Sequence, residues 1–197
     1  MRQPILAAVI TLVCLVSFGA DKGLTPGQQA AIDAKRLRLL LPKMLRSSDA
    51  KLVHEALLII RDDCIHNLRP SDELLSEVVD ALRRLLHDRK REEAGTRRLA
   101  CEIFWRARWK KAVPVLLEAL DDPYEKTYFM SMGEGHAAHM EWYAVWKSAD
   151  HALRELTGAS PIGAPRQRAP IPGQREKVRK AWLQWYKKNA KPTNSVK

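Results

Sequence analysis

The densest cluster of chemically capable side chains runs from Met130 to Glu141 and holds Met130, Met132, Glu134, His136, His139, Met140 and Glu141. Thioethers are soft ligands and imidazole binds most divalent ions, so Met130, Met132, His136 and His139 are a set suited to copper or another divalent cation. His136 and His139 stand three residues apart, the spacing that places two side chains on one face of a helix start. The opposing reading is mechanical. Methionine fills irregular apolar gaps, and a loop inserted between helical units needs such filler.

A second cluster lies near the C-terminus, where Arg175, Lys177, Arg179, Lys180, Lys187 and Lys188 are interleaved with Trp182, Trp185 and Tyr186. Cations beside aromatic rings neutralise anions and stack on flat groups, so this segment is a candidate partner surface. Its alternative is structural: tryptophans three residues apart on one helical face can close the end of a helical array and leave the lysines in water.

Nucleophilic and metal templates are otherwise missing. The sequence contains no G-x-S-x-G, H-E-x-x-H or G-x-x-x-x-G-K, and no C-x-x-C. Cys64 and His66 are two residues apart and therefore point to different sides of a helix. These absences point to a non-catalytic protein, and no cofactor is implied. Cys64 and Cys101 both fall on apolar helical faces. They are either a disulfide pair, if the chain is exported to an oxidising compartment, or two buried thiols acting as small hydrophobes.

Export is the expectation from residues 1–19. Arg2 gives a positive start, Ile5 to Phe18 is apolar and uncharged, and Ser17, Gly19 and Ala20 are small. That order describes a signal peptide cut after Gly19, for a periplasmic or secreted product, with an uncleaved membrane anchor as the alternative. Lipoprotein processing at Cys14 does not fit, because Thr11, Leu12 and Val13 place no small residue before it.

The charge is concentrated at one end. From Ser160 onward ten Lys and Arg face a single acid, Glu176, so nine of the eleven net positive charges of the 197-residue chain lie there. Such a tail attracts anionic envelope polymers or lipid surfaces, and export argues against nucleic acid as its partner.

The elements that position these clusters are helices. Thr25–Pro26 opens one over about 26–46, with Pro42 bending or ending it. A second starts near Asp49 and carries Val53, Ala56, Leu57, Ile60 and Cys64 on one face, ending near Asn67. Ser71 opens a third with the stripe Leu75, Val78, Val79, Leu82 and Leu86. A fourth spans about 93–107 with Leu99, Ala100, Ile103 and Ala107, and a fifth follows from about Lys111 with Val113, Leu116, Leu117 and Leu120. Residues 124–137 show no period and read as an irregular loop. A sixth helix is expected over 139–157, burying Trp142, Val145, Ala149, Ala152, Leu153 and Leu156, with Gly158 as its C-cap. Prolines 161, 165, 170 and 172 mark 159–173 as an extended connector before a last helix at 174–189 with Val178, Ala181, Trp182 and Trp185. Residues 190–197 read as a disordered tail. No stretch alternates with period two for long, so the class is all-α.

Within this pattern, Thr96 to Asp122 resembles a HEAT repeat of the bacterial type. Arg97, Arg98, Leu99 and Ala100 are similar to the opening of its first helix. Ala112, Val113, Pro114, Leu116, Leu117, Ala119, Leu120, Asp121 and Asp122 match the "AVPxLxxALxD" of its second. Ala149, Ala152, Leu153, Leu156, Thr157 and Gly158 resemble the "AxxALxxLTG" that closes such arrays. Two features depart from the family: Trp105–Trp109 stands where a glycine and aspartate turn is usual, and 124–137 is an insertion. The resemblance implies a short α-solenoid of antiparallel helix pairs over 20–158, about seven helices in all with the terminal ones, serving as an exported scaffold that binds a protein partner.

Overall fold

A computed structural model of the chain describes residues 26–90, 93–130, 139–162 and 173–189. The chain divides into two units, residues 1–44 and 45–197. The first contains helix α1, Pro26–Leu45, which runs to the boundary and carries Pro42 inside it rather than ending there. The segment expected as a signal peptide, residues 1–19, lies outside the described residues, as do 190–197 and most of the proline-rich connector. No helix among the described residues is long and apolar enough to cross a membrane.

The second unit is predominantly helical. Asp49 caps α2, Ala50–Ile65, by accepting from the Lys51 amide, and Ser71 caps α3, Asp72–Asp88, by accepting from Leu74. Helix α4 spans Ala94–Arg106; a 3₁₀ turn at Lys110–Ala112 leads into α5, Val113–Ala119, with Pro114 in its first turn, where a missing N–H costs nothing. Helix α6 runs Val145–Thr157 and ends on Gly158 at φ 70°, a left-handed cap in which the Gly158 N–H donates to Arg154 O. Helix α7 is Gln174–Asn189.

The described residues include one pair of strands, the first within the stretch read as an irregular loop and the second at the start of the expected sixth helix. Strands β1, Glu125–Met130, and β2, His139–Ala144, pair antiparallel from Glu125 opposite Ala144 to Met130 opposite His139. The expected sixth helix therefore starts six residues late, at Val145. Residues 139–144 are rich in aromatic and apolar side chains of strand preference, and they find a partner strand before the helical period takes over.

Packing places α4 between α2 and α6, with α3 against both α4 and α5, α5 against α6, and α7 beside α5. The core is the apolar stripe of each helix: Val53, Ala56, Leu57 and Ile60 from α2, Leu75, Val78, Leu82 and Leu86 from α3, Leu116 and Leu117 from α5, and Ala149, Ala152 and Leu153 from α6 are all buried.

Candidate functional site

Helix α4 is buried on nearly every side, and Gly95, Arg98, Glu102, Trp105 and Arg106 are its only residues that are not. The first four recur at steps of three and four, so they form one open stripe. His54, Leu58 and Arg61 of α2 lie on one side of it, and Ala144 at the end of β2 with Lys147, Ser148 and His151 of α6 lie on the other. Together they line a groove of about 580 Å³. Arg61, Arg98 and Lys147 line it with one carboxylate, Glu102, which is held by Arg106 at 2.7 Å, while Arg61 is paired with Asp62 at 2.9 Å just outside the groove. Trp105 forms an aromatic floor: its ring meets His151 edge-on at 5.2 Å, and the Arg106 guanidinium lies 4.6 Å from its centroid. Arg98 Nε donates to Ser148 Oγ at 3.3 Å, and His54 Nδ1 is 3.1 Å from Thr96 Oγ1. Concave, cationic and aromatic, the groove suits an extended anionic segment and contains no nucleophile paired with a base. None of these residues was singled out as a site in the sequence. The signal available was the second stripe on each helix, opposite the apolar one.

Two buried carboxylates fix the elements around it. Asp122 is fully buried and accepts from Arg97 Nε at 2.6 Å and from the Tyr124 amide at 2.9 Å, while Arg97 Nη1 donates to Lys90 O at 2.7 Å. Adjacent arginines thus serve opposite ends: Arg97 locks α4 to the end of α5, and Arg98 faces the groove. Asp150, 2 % exposed, accepts from Arg154 Nε at 2.9 Å and from Trp182 Nε1 at 2.6 Å.

That second contact changes the reading of the C-terminal cluster. Trp182 is fully buried, so it is a docking side chain of α7 and not a surface for a partner, because a ring enclosed by protein has no face left to offer. Trp185 packs edge-on against it at 5.4 Å, and Arg179 reaches Asp121 at 3.6 Å. Arg175 is half-buried; Lys177, Lys180, Lys187 and Lys188 are exposed, with Lys180 3.5 Å from Glu176.

Of the candidate metal set, Met132 and His136 lie outside the described residues. Met130 and His139 are opposite each other in the β1–β2 ladder. Among the described residues no group of three or more His, Cys, Asp and Glu is placed to hold a metal ion. Cys64 and Cys101 are free thiols. Burial first, then the field of Asp63, pushes Cys64 up to about 11. Burial and then Asp122 push Cys101 up to about 12, so both are neutral at pH 7.

Comparison with known families, with characterised proteins and with solved structures finds no match for this chain. The likeness of residues 96–122 to a HEAT repeat therefore rests on the motif itself.

Proposed function

We propose that α2 to α7 form a short HEAT-like solenoid and that the chain is an exported, non-catalytic scaffold holding an acidic, extended segment of a protein partner in the α2–α4–α6 groove. The succession of α2, α4 and α6 side by side, with α3, α5 and α7 behind them, supports the stacked-pair reading. The observation that carries the binding role is the open stripe of α4: of the five residues this otherwise enclosed helix leaves accessible, four line the groove, Trp105 among them. The exposed lysines of α7 add a weaker, salt-screened attraction for anionic surfaces.

Affinity capture from envelope extracts at low and high salt tests this. Arg98→Glu with Lys147→Glu places like charges against an acidic segment and is expected to reduce retention of the captured partner by at least about tenfold. Reversing Lys187 and Lys188 is expected to leave retention largely intact. The opposite pattern, with the tail variant failing and the groove variant behaving as the parent, would move the site to α7. His136→Ala with His139→Ala is expected to leave retention unchanged; loss of retention together with a bound metal in the parent protein would favour the metal-holding reading, which the pairing of Met130 with His139 in the ladder keeps in view.

A further inference from the structure

A smaller pocket lies where the turn after α2 meets the turn after α4. It measures about 310 Å³ and is lined by Cys64, Asn67, Leu68, Arg69, Arg106 and Arg108, with Pro70 and Ala107 completing its wall. Three arginines line this concavity, and no carboxylate lines it. Arg106 is held in place by its pair with Glu102 at 2.7 Å and by its position over the Trp105 ring. Among the described residues, neither Arg69 nor Arg108 has a carboxylate within ion-pair distance, because the nearby Asp72 is taken by Lys111 at 2.6 Å and by Trp109 Nε1 at 3.2 Å. The thiol of Cys64 is neutral at pH 7 and adds no negative charge.

The backbone supplies an independent pointer. Arg108 sits at φ 53°, in the left-handed region where a Cβ is disfavoured and glycine is the default. Asn67, in the facing turn, is also left-handed at φ 59°, but asparagine tolerates that conformation and arginine gains nothing from it. Arg89 holds the same conformation at the end of α3 and spends its guanidinium on Leu86 O and Asp121, whereas Arg108 has no such partner among the described residues and lines the pocket.

We propose that this pocket is an oxyanion site that takes a phosphate group, with Arg69, Arg106 and Arg108 as its ligands. Guanidinium forks match the oxygens of phosphate and carry their charge at any physiological pH. Arg106 is already balanced by Glu102, but Arg69 and Arg108 bring two charges that no carboxylate within ion-pair distance offsets among the described residues, and an anion relieves their mutual repulsion. Leu68, half exposed, with Pro70 and Ala107 leaves an apolar margin for the organic part of a phosphate ester.

The test turns on Arg108→Gly. Glycine adopts the left-handed turn more easily than arginine, so the variant removes the guanidinium without endangering the fold, and its melting temperature should equal or exceed that of the parent. Calorimetric titration of the parent with inorganic phosphate and with glycerol 3-phosphate at low ionic strength is expected to show saturable binding with a Kd on the order of 1 mM or tighter. Arg108→Gly and Arg69→Gln should each weaken it by about tenfold. Vesicles of phosphatidylglycerol and of phosphatidylcholine, used with the same proteins, separate the sources. Loss of phosphatidylglycerol binding in Arg108→Gly without soluble phosphate binding in the parent assigns the site to a lipid headgroup. If the parent shows no saturable phosphate binding and both proteins bind vesicles alike, or if Arg108→Gly binds phosphate as the parent does, the proposal is overturned.

Discussion

Asp122→Ala removes the carboxylate of the most enclosed ion pair among the described residues, the side chains of Arg97 and Asp122 being 1 % and 0 % exposed. What the substitution leaves behind sets its cost. Arg97 keeps one hydrogen bond, to Lys90 O at 2.7 Å, but its charge stays buried without a counter-ion, and the Tyr124 amide loses its acceptor. Two routes give the magnitude. Removing one member of a buried pair costs about 3–5 kcal/mol. The two good hydrogen bonds lost, each to a charged group, are worth about 1.5–3 kcal/mol apiece, or about 3–6 kcal/mol together. A domain of this size has only about 5–15 kcal/mol of net stability, so the variant should lose roughly a fifth of it or more. At about 2–4 °C per kcal/mol, its melting temperature should fall by roughly 6–20 °C. Urea denaturation followed by circular dichroism reads this directly, with the m-value checking that the unfolded states are comparable. Arg97→Met with Asp122→Leu supplies the control. Apolar groups of similar volume carry no desolvation penalty, so the double variant should recover at least half of the loss. If Asp122→Ala lies within about 1 kcal/mol of the parent, or the double variant is the less stable of the two, the pair does not hold α4 to α5 in the way described.

Two further outcomes follow from other buried groups. Trp182→Phe keeps most of the ring but withdraws the donor from Asp150 and should cost about 1.5–3 kcal/mol, while Trp182→Ala should cost about 3–5 kcal/mol and release α7; hydrogen exchange in 174–189 that is no faster in the alanine variant would show that the helix is seated by other contacts. The raised thiols predict both reactivity and a pH trend. Iodoacetamide at pH 8 should modify Cys64 slowly and Cys101 only after unfolding, and equal labelling of the two in the native protein would contradict the burial of Cys101. Because both folded-state values lie above the usual thiol value of about 9, their contribution to stability is complete below pH 9 and is lost as pH rises towards about 11 and 12.

The helices were readable because their signals are local. Asp49, Ser71, Pro114 and Gly158 mark ends that the structure places within about two residues of the expected positions, and the stripes at 53–60 and 75–86 are buried as their spacing implies except at Val79, which is half-buried. The hairpin was not, for a physical reason. In Glu125–Met130 and His139–Ala144, polar and apolar residues do not alternate cleanly, so the pattern carries little period-two signal and the pairing across 131–138 decides the structure. The buried polar groups were hidden differently. Arg97, Asp122 and Asp150 are of types that normally stay in water, and the partners that allow their burial are 25 and 32 residues distant in the chain for Asp122 and Asp150. Trp182 illustrates the same limit. Its place on an amphipathic face was visible, but only the carboxylate waiting on α6 decides whether the ring is inside or outside.

The seat of α7 has a consequence for how the chain behaves when cut. Residues 158–173 join Thr157 to Gln174, so the helix meets Asp150 within one molecule, at an effective concentration of order mM. A contact set too weak to recruit a free peptide is sufficient under that tether. After a single cleavage in the linker, the terminal fragment becomes an ordinary ligand, its occupancy set by dilution; gel filtration of the nicked protein across a range of concentrations would register the difference as dissociation on dilution.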